Sequence, residues 1–118
     1  MTKKIIWFSR HPAIPKQVDE LKRIFGEIEI IQDPKPFANA DDVIQRYKKM
    51  GGDEMVIVAP LSVIDAICKR GIKPLWAEME QVPPDQADKA DVIANGRSYK
   101  FVKFRRVKRL MLEFEDVI

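Results

Sequence analysis

The sequence predicts an α/β domain: a Rossmann-like, mostly parallel sheet with helices on both faces and antiparallel strands at its C-terminal end. Three observations carry this. Short apolar runs alternate with segments of helical periodicity, in the order β-α-β-α-β-α-β. Two of the runs, Ile5–Phe8 and Met55–Ala59, are apolar throughout, as strands buried on both faces are. The last third changes to period two around an Asn95-Gly96 turn. At 118 residues the chain suits a single domain spanning 1–118.

Taken in order, Lys3 to Phe8 reads as the first strand, and Pro12 and Pro15 bracket the turn into a helix. Val18, Leu21, Ile24 and Phe25 recur at helical spacing, and Gly26 stops the helix. Glu27 to Gln32 alternates charged and apolar residues and predicts a second strand nearer an edge. Asp33-Pro34-Lys35-Pro36 is loop. Asn39 is a good N-cap for a helix over Ala40 to Met50. Asp41 and Asp42 lie in its first turn and Lys48 and Lys49 in its last, an order that complements the macrodipole.

Gly51-Gly52 leads to the third strand, Met55 to Ala59. Pro60-Leu61-Ser62 then repeats the logic of the first strand end: strand, turn, helix. Val63, Ile64, Ala66 and Ile67 form that helix's apolar face, closed by Lys69-Arg70-Gly71. Lys73 to Val82 reads as a fourth strand and Pro83 to Ala90 as a polar loop excursion. Asp91 to Ala94 and Arg97 to Phe104 predict a hairpin across Asn95-Gly96. Simple alternation sets Tyr99, Phe101, Lys103 and Arg105 on one face, and Lys100, Val102, Phe104 and Arg106 on the other. Leu110, Leu112 and Phe114 alternate with Met111, Glu113 and Glu115 and suggest a last strand or a continuation.

Composition narrows the function classes. The net charge is only +3, so the chain is no obvious polycation. The charge is unevenly spread: Arg97, Lys100, Lys103, Arg105, Arg106, Lys108 and Arg109 form a basic stripe with no acid among them. The single cysteine, Cys68, makes no intramolecular disulfide and, with a single histidine, no usual zinc site; it fits a small buried hydrophobe in a reducing compartment. No run approaches the roughly 18 apolar residues of a membrane span. The apolar run behind Met-Thr-Lys-Lys is short for a signal peptide, so a cytoplasmic location is expected. A Gly-x-Gly-x-x-Gly turn and a P-loop are both missing, and no cluster has metal-ligand spacing, so neither a metal nor another cofactor is expected.

The chemistry concentrates at Ser9-Arg10-His11-Pro12. There a buried strand gives way to a hydroxyl, a guanidinium and the chain's one imidazole. In open α/β sheets the carboxyl edge is where ligands bind, and a helix start there offers free N–H groups to an anion. His11 suits general acid–base work on a phosphodiester or a structural place at the turn. Arg10 offers a planar fork to phosphate or to a surface ion pair. Ser9 can bond a phosphate or ribose oxygen, or satisfy the backbone at the strand end. Ser62, just after Pro60 at a second strand end, can hold ligand from the other side or simply cap a helix. Asn39 is a cap first and a ligand contact second. Lys103, Arg105 and Arg106, interleaved with Tyr99, Phe101 and Phe104, suit nucleic acid through stacking and charge, or a charge-guarded edge strand.

These segments resemble the small CRISPR-associated ring nucleases. The apolar strand ending in Ser9-Arg10-His11-Pro12 is similar to their opening. Asp53–Ser62 resembles their third strand and turn, and Arg70–Glu78 the strand that follows. Tyr99–Arg106 resembles the aromatic-basic strand after a hairpin in some members, whereas Pro83–Ala90 has no counterpart we can assign. The resemblance spans most of the chain through short motifs. It implies a Rossmann-like homodimer that linearises cyclic oligoadenylate, cyclic tetra-adenylate in particular, the messenger of type III CRISPR antiviral defence. The reaction it implies needs no metal: a ribose 2′-hydroxyl attacks the adjacent phosphorus and leaves a 2′,3′-cyclic phosphate. By resemblance Ser9, Arg10, His11 and Ser62 line the ligand site, and Arg105 or Arg106 meets phosphate. The alternative is a non-catalytic module that binds a nucleotide, or nucleic acid through the basic C-terminal strand.

Overall fold

The computed structural model describes residues 1–111 and 113–117. In chain order the elements are β1 (Lys3–Phe8), α1 (Pro15–Phe25), β2 (Ile28–Gln32), α2 (Ala40–Lys49), β3 (Glu54–Ile57), α3 (Leu61–Lys69), β4 (Leu75–Val82), a 3-10 helix (Pro84–Lys89), β5 (Val92–Ala94) and β6 (Arg97–Arg106). They form an α/β structure around one six-stranded mixed sheet, ordered β2-β1-β3-β4-β6-β5. The pairs β2–β1, β1–β3 and β3–β4 are parallel; β4–β6 and β6–β5 are antiparallel.

The two faces of β1 explain the layers. Side chains alternate along a strand, so Ile6 and Phe8 pack with Met55 and Ile57 against Val43 and Ile44 of α2 and Ile64 and Ile67 of α3. Ile5 and Trp7 turn the other way and pack with Val56, Leu75 and Leu21 of α1. Both faces are dry, so β1 carries no polar residue between Ile5 and Phe8. Gly52 lets α2 return closely to the sheet: a Cβ there would run into the Tyr47 ring and the Ile6 side chain.

Asn95 and Gly96 both adopt positive φ, 53° and 74°, which closes the β5–β6 hairpin by the tight turn that this pair favours. The face assignment along β6 needs correction. Glu78 pairs with Lys103 but Met79 with Phe101, so Val102 is an extra residue bulged out of the ladder. The bulge inverts the alternation and puts Phe104 on the face of Phe101. Their rings lie 5.0 Å apart, and Phe104 meets Trp7 edge-on at 6.2 Å.

Two further expectations change. The polar excursion after Val82 contains the 3-10 helix rather than plain loop. The expected last strand, Leu110 to Phe114, does not form among the described residues, and Leu112 lies outside them. Val107 and Leu110 pack instead against the α2–α3 core, with the Val107 N–H bonded to the Pro74 carbonyl at 2.9 Å. Among the described residues no helix is long and apolar enough to cross a membrane.

Candidate functional site

The chain leaves β1 at Phe8 and turns sharply. The Ser9 Oγ accepts the His11 N–H at 3.2 Å, a local bond of the kind that lets serine close a turn. The Trp7 indole Nε1 donates to the His11 carbonyl at 2.7 Å. From the end of β2, the Gln32 Nε2 donates to the carbonyls of Ser9, at 3.0 Å, and Arg10, at 3.3 Å. Both backbone groups of His11 are therefore engaged, while its side chain stands exposed.

α1 starts at Pro15, the residue type best suited to a first helical position. Ile14 is its N-cap and cannot cap with its own side chain. Gln17 reaches back instead, its Oε1 accepting the Ile14 N–H at 3.1 Å. At the neighbouring strand end, the Val58 N–H bonds the Phe8 carbonyl at 3.2 Å, and the chain enters α3 at Leu61 with Pro60 as N-cap. The Pro60 carbonyl accepts from Val63 at 3.0 Å and Ile64 at 3.2 Å. Ser62 is thus inside the first turn of α3, exposed, and is not its cap.

The sheet order reverses between β1 and β3: the chain winds outward to β2 on one side and to β4 on the other. A crevice opens at such a point beyond the carboxyl ends of the strands. Only Val56 and Leu75 pair β3 with β4, so β4 and its partner β6 run on past the end of β3 and wall the crevice. The result is a cavity of about 860 Å³. Ser9, His11 and Gln17 line it from the β1–α1 side, Val58 and Leu61 from the β3–α3 side, and Trp76, Met79, Asp91 and Tyr99 from the extended wall. The lining is mainly apolar; among the described residues His11 is its one cationic candidate and Asp91 its one acid.

Of the residues singled out from sequence, Ser9, His11, Pro12 and Tyr99 reach this cavity. Arg10 stands exposed beside them, outside the lining, and makes no ion pair among the described residues. Pro60 and Ser62 flank Leu61, which does line it. Asn39 caps α2, its Oδ1 accepting the Asp42 N–H at 2.9 Å, and does not reach the cavity.

The basic strand is largely spoken for. Arg105 meets Glu78 at 3.2 Å and Lys100 meets Glu80 at 3.7 Å. Arg106 holds Glu54 by two bonds of 3.0 Å and the Lys73 carbonyl at 2.9 Å. Glu54 is the first residue of β3, so Arg106 sits at the edge of the sheet opposite to Ser9 and His11. Lys103 is exposed and outside the cavity lining. Near this far edge, burial first and the Glu54 and Asp53 carboxylates next push the Tyr47 phenol up to about 12, so it stays protonated. Burial likewise raises the Cys68 thiol, which donates to the Val107 carbonyl at 3.8 Å and behaves as a packed hydrophobe.

Sequence reasoning missed Gln17, Asp91 and Trp76; Tyr99 was singled out for stacking, but as part of the basic strand rather than of this cavity. For Gln17 there was a signal: it stands three residues after an apolar N-cap that precedes proline, where a capping side chain is needed. Asp91 accepts the Phe101 N–H at 2.7 Å and so extends the β6 ladder one donor past the start of β5. Among the described residues, no three His, Cys, Asp or Glu side chains gather as metal ligands. No family model, no curated protein and no solved structure matches this chain.

Proposed function

We propose that this chain is a metal-independent ring nuclease. It would linearise cyclic oligoadenylate, cyclic tetra-adenylate in particular, to products ending in a 2′,3′-cyclic phosphate. The observation that carries the reading is that Ser9 and His11 line a cavity of about 860 Å³ at the reversal of strand order. That volume is in the range of small-ligand sites, and the location is where Rossmann-like sheets bind nucleotides.

In the proposed step the 2′-oxygen bonds to phosphorus, the bond from phosphorus to the 5′-oxygen breaks, and a 5′-hydroxyl leaves. One proton departs from the 2′-hydroxyl and one arrives at the 5′-oxygen. His11, exposed at the cavity mouth with its backbone pinned on both sides, serves as the proton carrier. Ser9 meets ribose, and Arg10 meets the phosphate from the rim.

A cyclic tetra-adenylate carries four phosphates, and one chain offers few cations to meet them. A homodimer with its two-fold axis through the ligand would supply each group twice. It would also cover Val58, Leu61 and Trp76, which are 68%, 68% and 49% exposed along the cavity. The reading places the protein in the cytoplasm, in CRISPR-linked antiviral defence.

The test is incubation with cyclic tetra-adenylate in EDTA, resolving linear products. Wild type is expected to turn the ring over, and His11→Ala to bind it without turnover. An intact ring after long exposure to concentrated enzyme would reject catalysis. Retained binding in that case would support the second reading, a non-catalytic nucleotide-binding module, which the apolar lining of the cavity favours. Polynucleotide binding through the basic strand has less support, because Lys100, Arg105 and Arg106 already face Glu80, Glu78 and Glu54.

A further inference from the structure

We propose that Gln17 and Asp91 form a donor–acceptor pair on the cavity wall that reads the ligand's base and selects adenine; this rests on the nucleotide reading above. Gln17 is the one buried polar residue among those described, only 6% exposed, yet it lines the cavity. Its Oε1 is occupied by the Ile14 N–H. Among the described residues its Nε2 has one hydrogen-bond partner, the Met79 Sδ at 4.0 Å. A thioether is a weak acceptor and the carboxamide nitrogen carries two protons. The sulfur satisfies the donor only weakly, so a stronger acceptor placed in the cavity would improve on it. Here a ring nitrogen of a ligand in the cavity would supply the acceptor.

Asp91 contributes the opposite polarity. Its Oδ2 takes the Phe101 N–H at 2.7 Å and the Lys16 Nζ at 3.4 Å. Among the described residues nothing engages its Oδ1. The ion pair to Lys16 ties Asp91 to the turn of α1 that carries Gln17. Gln17 and Asp91 therefore line one cavity, and Tyr99, on the same face of the sheet as Met79, lines it with them and offers a ring for stacking. Adenine offers the matching edge: an acceptor ring nitrogen adjacent to an exocyclic amine. Hypoxanthine replaces that amine by a carbonyl and carries a proton on the adjacent ring nitrogen, which would set acceptor against acceptor at Asp91 and donor against donor at Gln17.

The experiment compares AMP with IMP, and cyclic tetra-adenylate with its all-inosine analogue, by titration followed through tryptophan fluorescence. Wild type is expected to prefer the adenine member of each pair by about tenfold or more, the discrimination that one good two-bond base contact supplies. Gln17→Met should reduce that preference to about threefold or less. Asp91→Asn, which keeps an oxygen for the Phe101 N–H but adds a donor, should narrow it by improving the hypoxanthine ligands. The second variant carries the test if Gln17→Met does not fold. Equal binding of both bases by wild type, or full discrimination retained in both variants, overturns the pair. AMP preference without ring cleavage would sink the nuclease and leave the base reading standing. Cleavage of both rings at equal rates with equal affinities would do the reverse, and no binding in either series removes both.

Discussion

The indole Nε1 of Trp7 and the backbone carbonyl of His11 are joined at 2.7 Å. Trp7 is a core residue of β1, packed on the α1 face of the sheet and edge-on to Phe104. Its polar handle reaches out of that core and sets the turn that presents the imidazole. Trp7→Phe keeps an aromatic ring and removes the donor. The lost bond and the smaller ring should cost about 1–2 kcal/mol in urea unfolding. Under the proposed function, turnover should fall further than this stability loss explains, because the His11 turn loses one of its anchors. Equal turnover at a temperature where both proteins are folded would show that the anchor does not matter to the chemistry.

Asn39 is expected to act on stability alone. Its Oδ1 takes an N–H that the first turn of α2 would otherwise leave unpaired. Asn39→Ala should cost about 1 kcal/mol of stability, with ligand affinity and cleavage unchanged. Loss of ligand binding in a folded Asn39→Ala protein would return Asn39 to the site.

How far the sequence could be read depended on whether the deciding contact was local. β1 was legible to the residue because both its faces are buried, and the change from Phe8 to Ser9 marks its end. The hairpin was legible because Asn95-Gly96 closes it from within. The bulge at Val102 was not: Tyr99 to Arg106 alternates cleanly, and the shift arises from pairing with Glu78 and Met79, about twenty residues earlier. The alternation at Leu110 mimicked a strand, but its side chain packs on the core between the sheet and α2 and α3 rather than pairing in a ladder. The site divides the same way. Ser9 and His11 follow from the polarity of a strand end. Asp91 joins them only once the β5–β6 hairpin is folded beside α1, and the acids that claim Arg105 and Arg106 are far off in sequence.

The two arginine positions tested against each other separate site from scaffold. Arg106 bonds Glu54 twice, and Glu54 is largely shielded while Arg106 is 38% exposed. Removing the guanidinium leaves a shielded carboxylate without its partner, though solvent at the arginine tempers the effect. Arg106→Ala should therefore cost about 1 kcal/mol in unfolding and leave nucleotide affinity intact. Arg10→Ala, at an exposed residue with no ion pair among those described, should do the opposite: stability within about 0.5 kcal/mol and a weaker, more salt-sensitive complex with cyclic tetra-adenylate. A melting curve and a titration on each protein decide it. Loss of affinity in Arg106→Ala would move the phosphate contact back to the basic strand.

The α2 cap also sets how the fold responds to acid. The Asp42 Oδ2 accepts the Ala38 N–H at 3.1 Å, and the Arg46 guanidinium bonds both carboxylate oxygens at 3.1 and 2.8 Å. The Ala38 N–H first, and Arg46 next, hold this carboxyl below its ordinary value of 3.8. A carboxyl whose pKa is lower in the folded chain than in the unfolded one stabilises the fold in its charged form. That contribution is complete above the unfolded value and is lost as pH falls through the folded one. Asp42→Asn removes the titration and keeps an oxygen for Ala38. Wild type should therefore be the more stable protein at about pH 6, and the gap should close on acidification below about pH 4. Urea midpoints of the two proteins across that range measure it. A gap that stays constant, or widens in acid, would mean that the charge on Asp42 contributes nothing to holding the start of α2.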